Sequence, residues 1–167
     1  MIRINLGSGD DIREGYVNVD LYEPLADIKH NLNSIPYPFK SNSADEIILI
    51  HALEHCEKPI DVINECIRIL CPGGKLIVET PHYNHSAAVE AAHTTFFNDT
   101  WFNYWYEPIK SYHKNYPRAG FLKLLEIKQK PTILGVFIPI NKLRMVITKG
   151  LNIPLIFSLV FTLEVIK

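Results

Sequence analysis

The stretch Ile4-Asn5-Leu6-Gly7-Ser8-Gly9-Asp10 limits what this chain can become more than any other. A short apolar segment runs into two glycines spaced by one residue, and a second segment, Tyr16-Val17-Asn18-Val19-Asp20, ends on a carboxylate. Glycine reaches backbone conformations that other residues resist, so the first segment reads as a strand entering a tight turn. A strand, a glycine turn and an acid closing the next strand together describe how α/β sheets hold a nucleoside. The glycines let the backbone approach the ligand, and the acid accepts hydrogen bonds from the two ribose hydroxyls. The spacing argues against a dinucleotide-binding unit, which needs Gly-x-Gly-x-x-Gly opening a full helix and an acid about 20 residues on. Here Asp20 stands 11 residues past Gly9.

Only six residues separate Gly9 from Tyr16, whereas a parallel crossover usually takes about a dozen or more. No full helix fits, so a reduced first helix layer and an open cleft are expected. Ala26 to His30 alternates like a short third strand, and Ile35-Pro36-Tyr37-Pro38-Phe39 demands a loop because proline cannot donate to a ladder. The four aliphatics Ile47 to Ile50, within the segment Ala44 to His51, predict a strand covered on both faces and lying mid-sheet. Pro59 suits a first helical turn, Ile60, Ile63, Ile67 and Leu70 recur at threes and fours, and Pro72-Gly73-Gly74 is placed to stop that helix. Lys75 to Pro81 is then a further strand, and strand, helix and strand make a right-handed crossover in a largely parallel sheet. Residues 82 to 107 are rich in histidine and aromatics and predict helical turns, within which the aromatic cluster Phe96 to Tyr106 is either a lid or ordinary core. Leu124 to Lys130 alternates like a strand with one wet face, residues 141–149 read as a basic helix, and residues 157–165 contain a last strand hairpinned on the one before it.

A chain of 167 residues, 47% of them hydrophobic, suffices for one domain with one core. Residues 1–81 are assigned to ligand binding and residues 82–167 to a substrate or lid part of that single domain. No charged leader followed by an apolar run is visible, and the run from Ile153 to Leu163 is 11 residues long and broken by Pro154. It falls short of the roughly 20 residues that span a bilayer, so no transmembrane segment is expected. That run reads as a core element or, if its strand is exposed, as a homodimer surface. Cys56, Cys66 and Cys71 contain no Cys-x-x-Cys pair, which argues against a disulfide framework or a zinc knuckle and for reduced thiols in a cytoplasm. Net charge is −1, yet residues 1–109 hold 16 acids and 7 bases while residues 110–149 hold 9 bases against Glu126 alone. Such asymmetry suits an anionic partner, and equally a solvated basic surface spread over several elements. Nucleic acid is not expected, because the bases are not interleaved with a recognisable binding module.

Taken together, Leu6-Gly7-Ser8-Gly9, Val19-Asp20, Asn31-Leu32, the strand leading to His51-Ala52-Leu53-Glu54-His55, and Leu70-Cys71-Pro72-Gly73-Gly74-Lys75-Leu76 resemble the class I S-adenosylmethionine-dependent methyltransferases, closest to the small Methyltransf_11-like group. The resemblance covers roughly residues 2–105. It implies an α/β fold with a Rossmann-like sheet, mostly parallel with an antiparallel C-terminal strand. It also implies S-adenosyl-L-methionine as cofactor, with Gly7, Ser8 and Gly9 along the methionine part and Asp20 on the ribose diol. Leu21 would lie against the adenine, Asn31 and Leu32 at the adenine edge, and His51 at the end of the fourth strand. Two departures stand out: the family usually has an acid where Asn5 stands and another where Asn31 stands, which points to lower cofactor affinity.

Methyl transfer is an in-line displacement in which the protein aligns donor and acceptor, with a base where the acceptor must lose a proton. Histidine suits that task near neutral pH, and His82, His85 and His93 follow a strand whose carboxyl end faces the ligand edge of an open α/β sheet. His93 and His82 are the candidate catalytic bases. A metal site built from His51, His55, His82, His85 and His93 is the competing reading, but none has the His-Glu-x-x-His spacing, so no metal is expected. Two functions remain. One is a methyltransferase acting on a small-molecule or sugar-like acceptor, an anionic one if the basic region draws it. The other is a degenerate member serving as a binding or interaction module.

Overall fold

The aliphatic run after Ser43 forms the strand β4 (Ala44–Ile50), and it lies mid-sheet as its composition demands, with parallel neighbours on both sides. The computed structural model describes residues 1–106, 118–151 and 153–167. Before β4 come β1 (Arg3–Leu6), β2 (Val17–Asp20) and the two-residue β3 (Ile28–Lys29). After it come α1 (Pro59–Ile69), β5 (Leu70–Pro81), the short α2 (Asn103–Tyr106), β6 (Phe121–Pro131), α3 (Ile133–Val136), α4 (Asn141–Leu151) and β7 (Ile156–Ile166). The described residues form a seven-stranded sheet in the order β3-β2-β1-β4-β5-β7-β6. β7 alone runs antiparallel to its neighbours β5 and β6. The carboxyl ends of β1, β2, β4, β5 and β6 and the start of β7 therefore share one edge.

The connection from β1 to β2 carries no helix, as its length requires. Two buried asparagines hold it instead. Asn5 Nδ2 donates to Asp11 O at 2.8 Å and to Asn18 Oδ1 at 3.1 Å, while the same Asn18 oxygen accepts from Arg13 N at 2.9 Å. A carboxylate at position 5 could accept but not donate, so it could not make these bonds. Asn5 is thus a structural clamp of the short crossover.

α1 begins at Pro59, and Val62, Ile63, Cys66 and Ile67 bury its inner face. It ends at Ile69, three residues before Pro72. Leu70, fully buried, already pairs with Ala44, and the ladder resumes only at Glu46 with Lys75, so Cys71 to Gly74 bulge from a strand that starts five residues earlier than expected. The aromatic stretch is core rather than lid. Phe97, Phe102 and Trp105 are buried, Phe102 packs on Phe161 of β7 at 4.7 Å, and Trp105 Nε1 donates to Asn64 Oδ1 of α1 at 3.1 Å.

The run from Ile153 to Leu163 enters β7, an interior strand whose Leu159, Phe161 and Leu163 are buried, so its last strand offers no free edge to a second copy. The basic region is likewise not one continuous cationic face. Lys128 pairs with Glu126, Lys130 with Glu79 and Lys149 with Asp99, Arg144 is buried, and Lys110 and Lys114 lie outside the described residues. No described helix is long and apolar enough to cross a membrane.

Candidate functional site

At the shared edge, the ends of β1, β2 and β4 surround a cleft of about 340 Å³, within the roughly 300–1,000 Å³ of small-molecule sites. Gly7, Gly9, Asp20, Leu21, Asn31, Leu32 and His51, all singled out in the sequence, line it. Ser8 is not on the wall: it is buried just behind, and its Oγ has no hydrogen-bond partner. Gly7 has φ 67°, and a Cβ there would stand 2.6 Å from Ala52 Cβ, so only glycine fits. Gly9 has φ 47° and nothing within 4 Å of where its Cβ would point, so its backbone borders open space. Asn31 uses its Oδ1 to accept from Asn33 N at 2.9 Å, the local turn that asparagine favours.

Asp20 is fixed by backbone. Its Oδ2 accepts from Gly9 N at 3.0 Å, and its Oδ1 accepts from Tyr22 N at 2.8 Å and Glu23 N at 2.9 Å. Burial pushes the carboxyl pKa up, but the N–H groups of Glu23, Tyr22 and Gly9 outweigh it and hold the group below its ordinary value. A carboxylate offers about four lone-pair sites. Three are used, which leaves Oδ2 room for one strong hydrogen bond from a ligand hydroxyl.

His51 ends β4 with φ 52°, a left-handed conformation that non-glycine residues seldom adopt. Both ring nitrogens are held, Nδ1 by Glu54 Oε1 at 3.3 Å and Nε2 by Glu79 Oε1 at 3.2 Å. The bonds to Glu54 and Glu79 outweigh burial and raise its pKa to about 9, so it is an imidazolium at neutral pH and cannot act as a base. Glu79 also receives Lys130 Nζ and Ser158 Oγ, each at 2.7 Å. Burial alone would raise its pKa, yet these donors and His51 lower it to about 2. Lys130 and Ser158 reach this network only because β7 and β6 extend the sheet beyond β5.

Phe157, at the start of β7, separates this cleft from a second, open depression of about 570 Å³ lined by His85, Thr132, Ile133 and Leu134 among others. Its ring centroid lies 6.2 Å from His51 on one side and 4.9 Å from His85 on the other. His85 Nδ1 accepts from Ala87 N at 3.1 Å, so a neutral His85 carries its proton on Nε2 and serves as a donor.

The two candidate bases part company. His82 is fully buried, lines neither cavity, and burial lowers its pKa to about 4. His93 also lines neither cavity, but it packs its ring on His55 at 4.6 Å, and His55 lines the cleft. Thr94 draws the two together by donating its N to Glu54 O at 2.8 Å and its Oγ1 to Cys56 O at 2.6 Å. In each ring Nδ1 faces a backbone carbonyl, Ala88 O at 3.2 Å for His93 and Ala92 O at 3.3 Å for His55. Nδ1 therefore donates, and Nε2 keeps the lone pair that a base needs. Glu90 stands 3.4 Å from His93 Nε2, where it can stabilise the proton once taken. Ligand atoms of Glu54, His55 and His93 lie within 4.8 Å of one another, a grouping of metal-ligating side chains that the sequence spacing did not reveal. Glu54 already commits one oxygen to His51. The Leu-Glu-His triplet was the sequence signal for Glu54 and His55, but nothing local linked them to His93, 38 positions beyond His55.

The model of a family described as methyltransferase domain matches residues 14–78. A protein of Mycolicibacterium smegmatis described as an S-adenosylmethionine-dependent methyltransferase is 37% identical over 60 residues, which is 35% of this chain and 23% of that protein. The chain thus matches about a quarter of the length of that curated relative. A Bacillus halodurans protein described as a methyltransferase superimposes with a TM-score of 0.60 at 12% identity, over 97% of this chain and 91% of that one. The [4+2]-cyclase SpnF superimposes with a TM-score of 0.55 at 13% identity, over 89% and 65%. These two likenesses establish the fold, which serves more than one chemistry. With its domain match over residues 14–78, its strand order and its antiparallel β7, the chain has the fold of the class I S-adenosylmethionine-dependent methyltransferases and is similar to them in sequence over that stretch.

Proposed function

We propose that this chain is an active methyltransferase that binds S-adenosyl-L-methionine in the cleft beside Asp20 and methylates a small molecule seated in the depression beside His85. The observation that carries the reading is the fixed, ionised Asp20 carboxylate with a lone pair to spare, facing a cleft whose floor is the Gly7 to Gly9 turn. The residues fit the cofactor. Asp20 takes a ribose hydroxyl, Leu21, Asn31 and Leu32 border the adenine, and Gly9 leaves room for the methionine part. S-Adenosyl-L-methionine, when bound, supplies an activated methyl group.

The protein's own part is to align and to move a proton. His51, held cationic between two carboxylates that occupy both of its N–H groups, shapes the cleft end nearest Phe157 and removes no proton. His85 donates from Nε2 to an acceptor oxygen in the second depression. Where the acceptor must lose a proton, the group at the cleft that can take it is His55 Nε2, and His93, packed edge-on against that ring with Glu90 behind it, supports it from behind the wall. His82 is left out because burial lowers its pKa to about 4, too weak a base near neutral pH. The second depression is open and mostly apolar at its rim, which suits a small or sugar-like acceptor with an apolar portion.

Calorimetric titration with S-adenosylmethionine tests the reading. Asp20→Ala is expected to weaken binding at least about tenfold, the loss of one charge-assisted hydrogen bond. Asp20 also holds its own turn, so Asp20→Asn is the companion variant: it keeps one acceptor oxygen and should fall between the two. Unchanged affinity in both, with an unchanged circular dichroism spectrum, would remove the cofactor from this cleft.

A further inference from the structure

Between β6 and β7 the usual partition of side chains is inverted. Arg144 and Thr148 of α4 face inward and are buried, and Arg144 donates to Gly135 O at 3.1 Å, Ile138 O at 2.7 Å and Asn141 Oδ1 at 3.1 Å. Outward stand Ile133, 88% exposed, Phe137, 80% exposed, and Val136, Ile140, Leu143 and Val146, all more than a third exposed. At 100° per residue, Leu143, Val146 and Ile147 share one stripe of α4, and Lys142 and Lys149, two turns apart, run along its side. Residues 132–155 contain no Asp or Glu, and every oxygen that meets the Arg144 guanidinium is formally neutral. The platform is seated firmly, since a Cβ on Gly135 would come within 2.0 Å of Leu155 O at the approach to β7.

We propose that this α3–α4 platform docks the protein onto an anionic bilayer surface. An apolar stripe edged by lysines is the pattern of a helix lying in the interface, where the apolar side chains enter the boundary of the acyl chains and the lysines reach lipid phosphates. Lys149 holds Asp99 at 2.6 Å, so Lys142 is the lysine with most to gain from the lipid. A second copy of the chain is the competing occupant, and charge selects against it. A two-fold contact would set this acid-free, net positive stretch against itself. Ile133 and Leu134 belong to both the platform and the second depression, so docking brings the mouth of that depression to the lipid surface. An amphiphilic acceptor would then follow, a consequence that rests on the methyl-transfer reading, whereas the docking does not.

Co-sedimentation of the full chain with lipid vesicles is the test. The chain is expected to pellet with vesicles of equimolar phosphatidylcholine and phosphatidylglycerol, less with phosphatidylcholine alone, and less as salt rises. The double variant Phe137→Ser with Val146→Ser, both at exposed positions, should lose binding at least about tenfold with its circular dichroism unchanged. Lys142→Glu should weaken binding to the anionic vesicles about fivefold or more and leave the weak binding to phosphatidylcholine as it was. A chain that stays in the supernatant with both vesicles overturns the proposal. So does light scattering that finds a dimer which the double variant dissociates and vesicles do not compete away. Either result leaves the titration at Asp20 untouched.

Discussion

His51 sits in a backbone conformation that costs a non-glycine residue about 1–3 kcal/mol, and it stays there because Glu54 and Glu79 hold both ring nitrogens. That arrangement gives stability a definite pH dependence. The His51 pKa is raised from 6.5 to about 9, so its contribution is complete below 6.5 and is lost as pH climbs through about 9. Glu79 is lowered from 4.5 to about 2, so its contribution is complete above 4.5 and is lost as pH falls toward 2. Buried His82, lowered from 6.5 to about 4, works in the same sense as Glu79, because the unfolded chain binds its proton first as pH falls below 6.5. Melting temperature is therefore expected to peak near pH 6.5 and to decline toward pH 9. His51→Asn keeps the left-handed conformation, which asparagine tolerates, but cannot carry the charge. Its melting temperature should be lower at neutral pH and nearly flat on the alkaline side. If the variant declines between pH 6.5 and 9 as steeply as the wild type does, the charge between the two glutamates is not the source. None of this was legible in the sequence beyond a histidine at a strand end, because Glu79 and Lys130 are 28 and 79 positions away from it.

The short crossover between β1 and β2 raises the sharpest question among the elements: what replaces the missing helix there. Asn18 does much of it. Its Oδ1 accepts from Asn5 Nδ2 and Arg13 N, its Nδ2 donates to Arg13 O, and its backbone N donates to Asp27 Oδ2 at 2.7 Å. Asn18→Ala removes the side-chain bonds and leaves partly buried donors without acceptors, which should cost about 2 kcal/mol by urea unfolding. A change under about 0.5 kcal/mol would mean that the crossover is held by something else. The length of this connection was readable directly, since six residues cannot form a helix and span two strands. The identity of its clamp was not. Asn5 looked like a lost acid because a side chain's partners depend on which loop folds over it, and here the loop needs a donor. α1 was legible from its period, while the start of β5 was not. Leu70 completes the apolar stripe of the helix and also pairs with Ala44, and only the second role appears in three dimensions.

One apolar core runs from Ile4 in β1 through Ile47 in β4 and Ile63 in α1 to Phe161 in β7 and Leu122 in β6. The division near residue 81 expected between a cofactor part and a substrate part has no seam in the packing to match it. The first part was legible because its cleft-lining residues sit at strand ends close together in sequence. The second was not, since β7 is slotted between β5 and β6 by long-range pairing that carries no local signature. A continuous core predicts cooperative unfolding. Trp101 and Trp105 report on the second part and pack beside α1 of the first, so their fluorescence and the far-ultraviolet circular dichroism of the whole sheet should lose signal at the same urea concentration. Phe161→Ala, which empties a fully buried site between the aromatic cluster and the sheet, should cost about 3–5 kcal/mol and move both transitions together. If fluorescence instead unfolds at lower urea than circular dichroism, or the variant shifts one probe alone, the two parts are separate folding units. Residues 82–167 would then open without disturbing the cleft at Asp20.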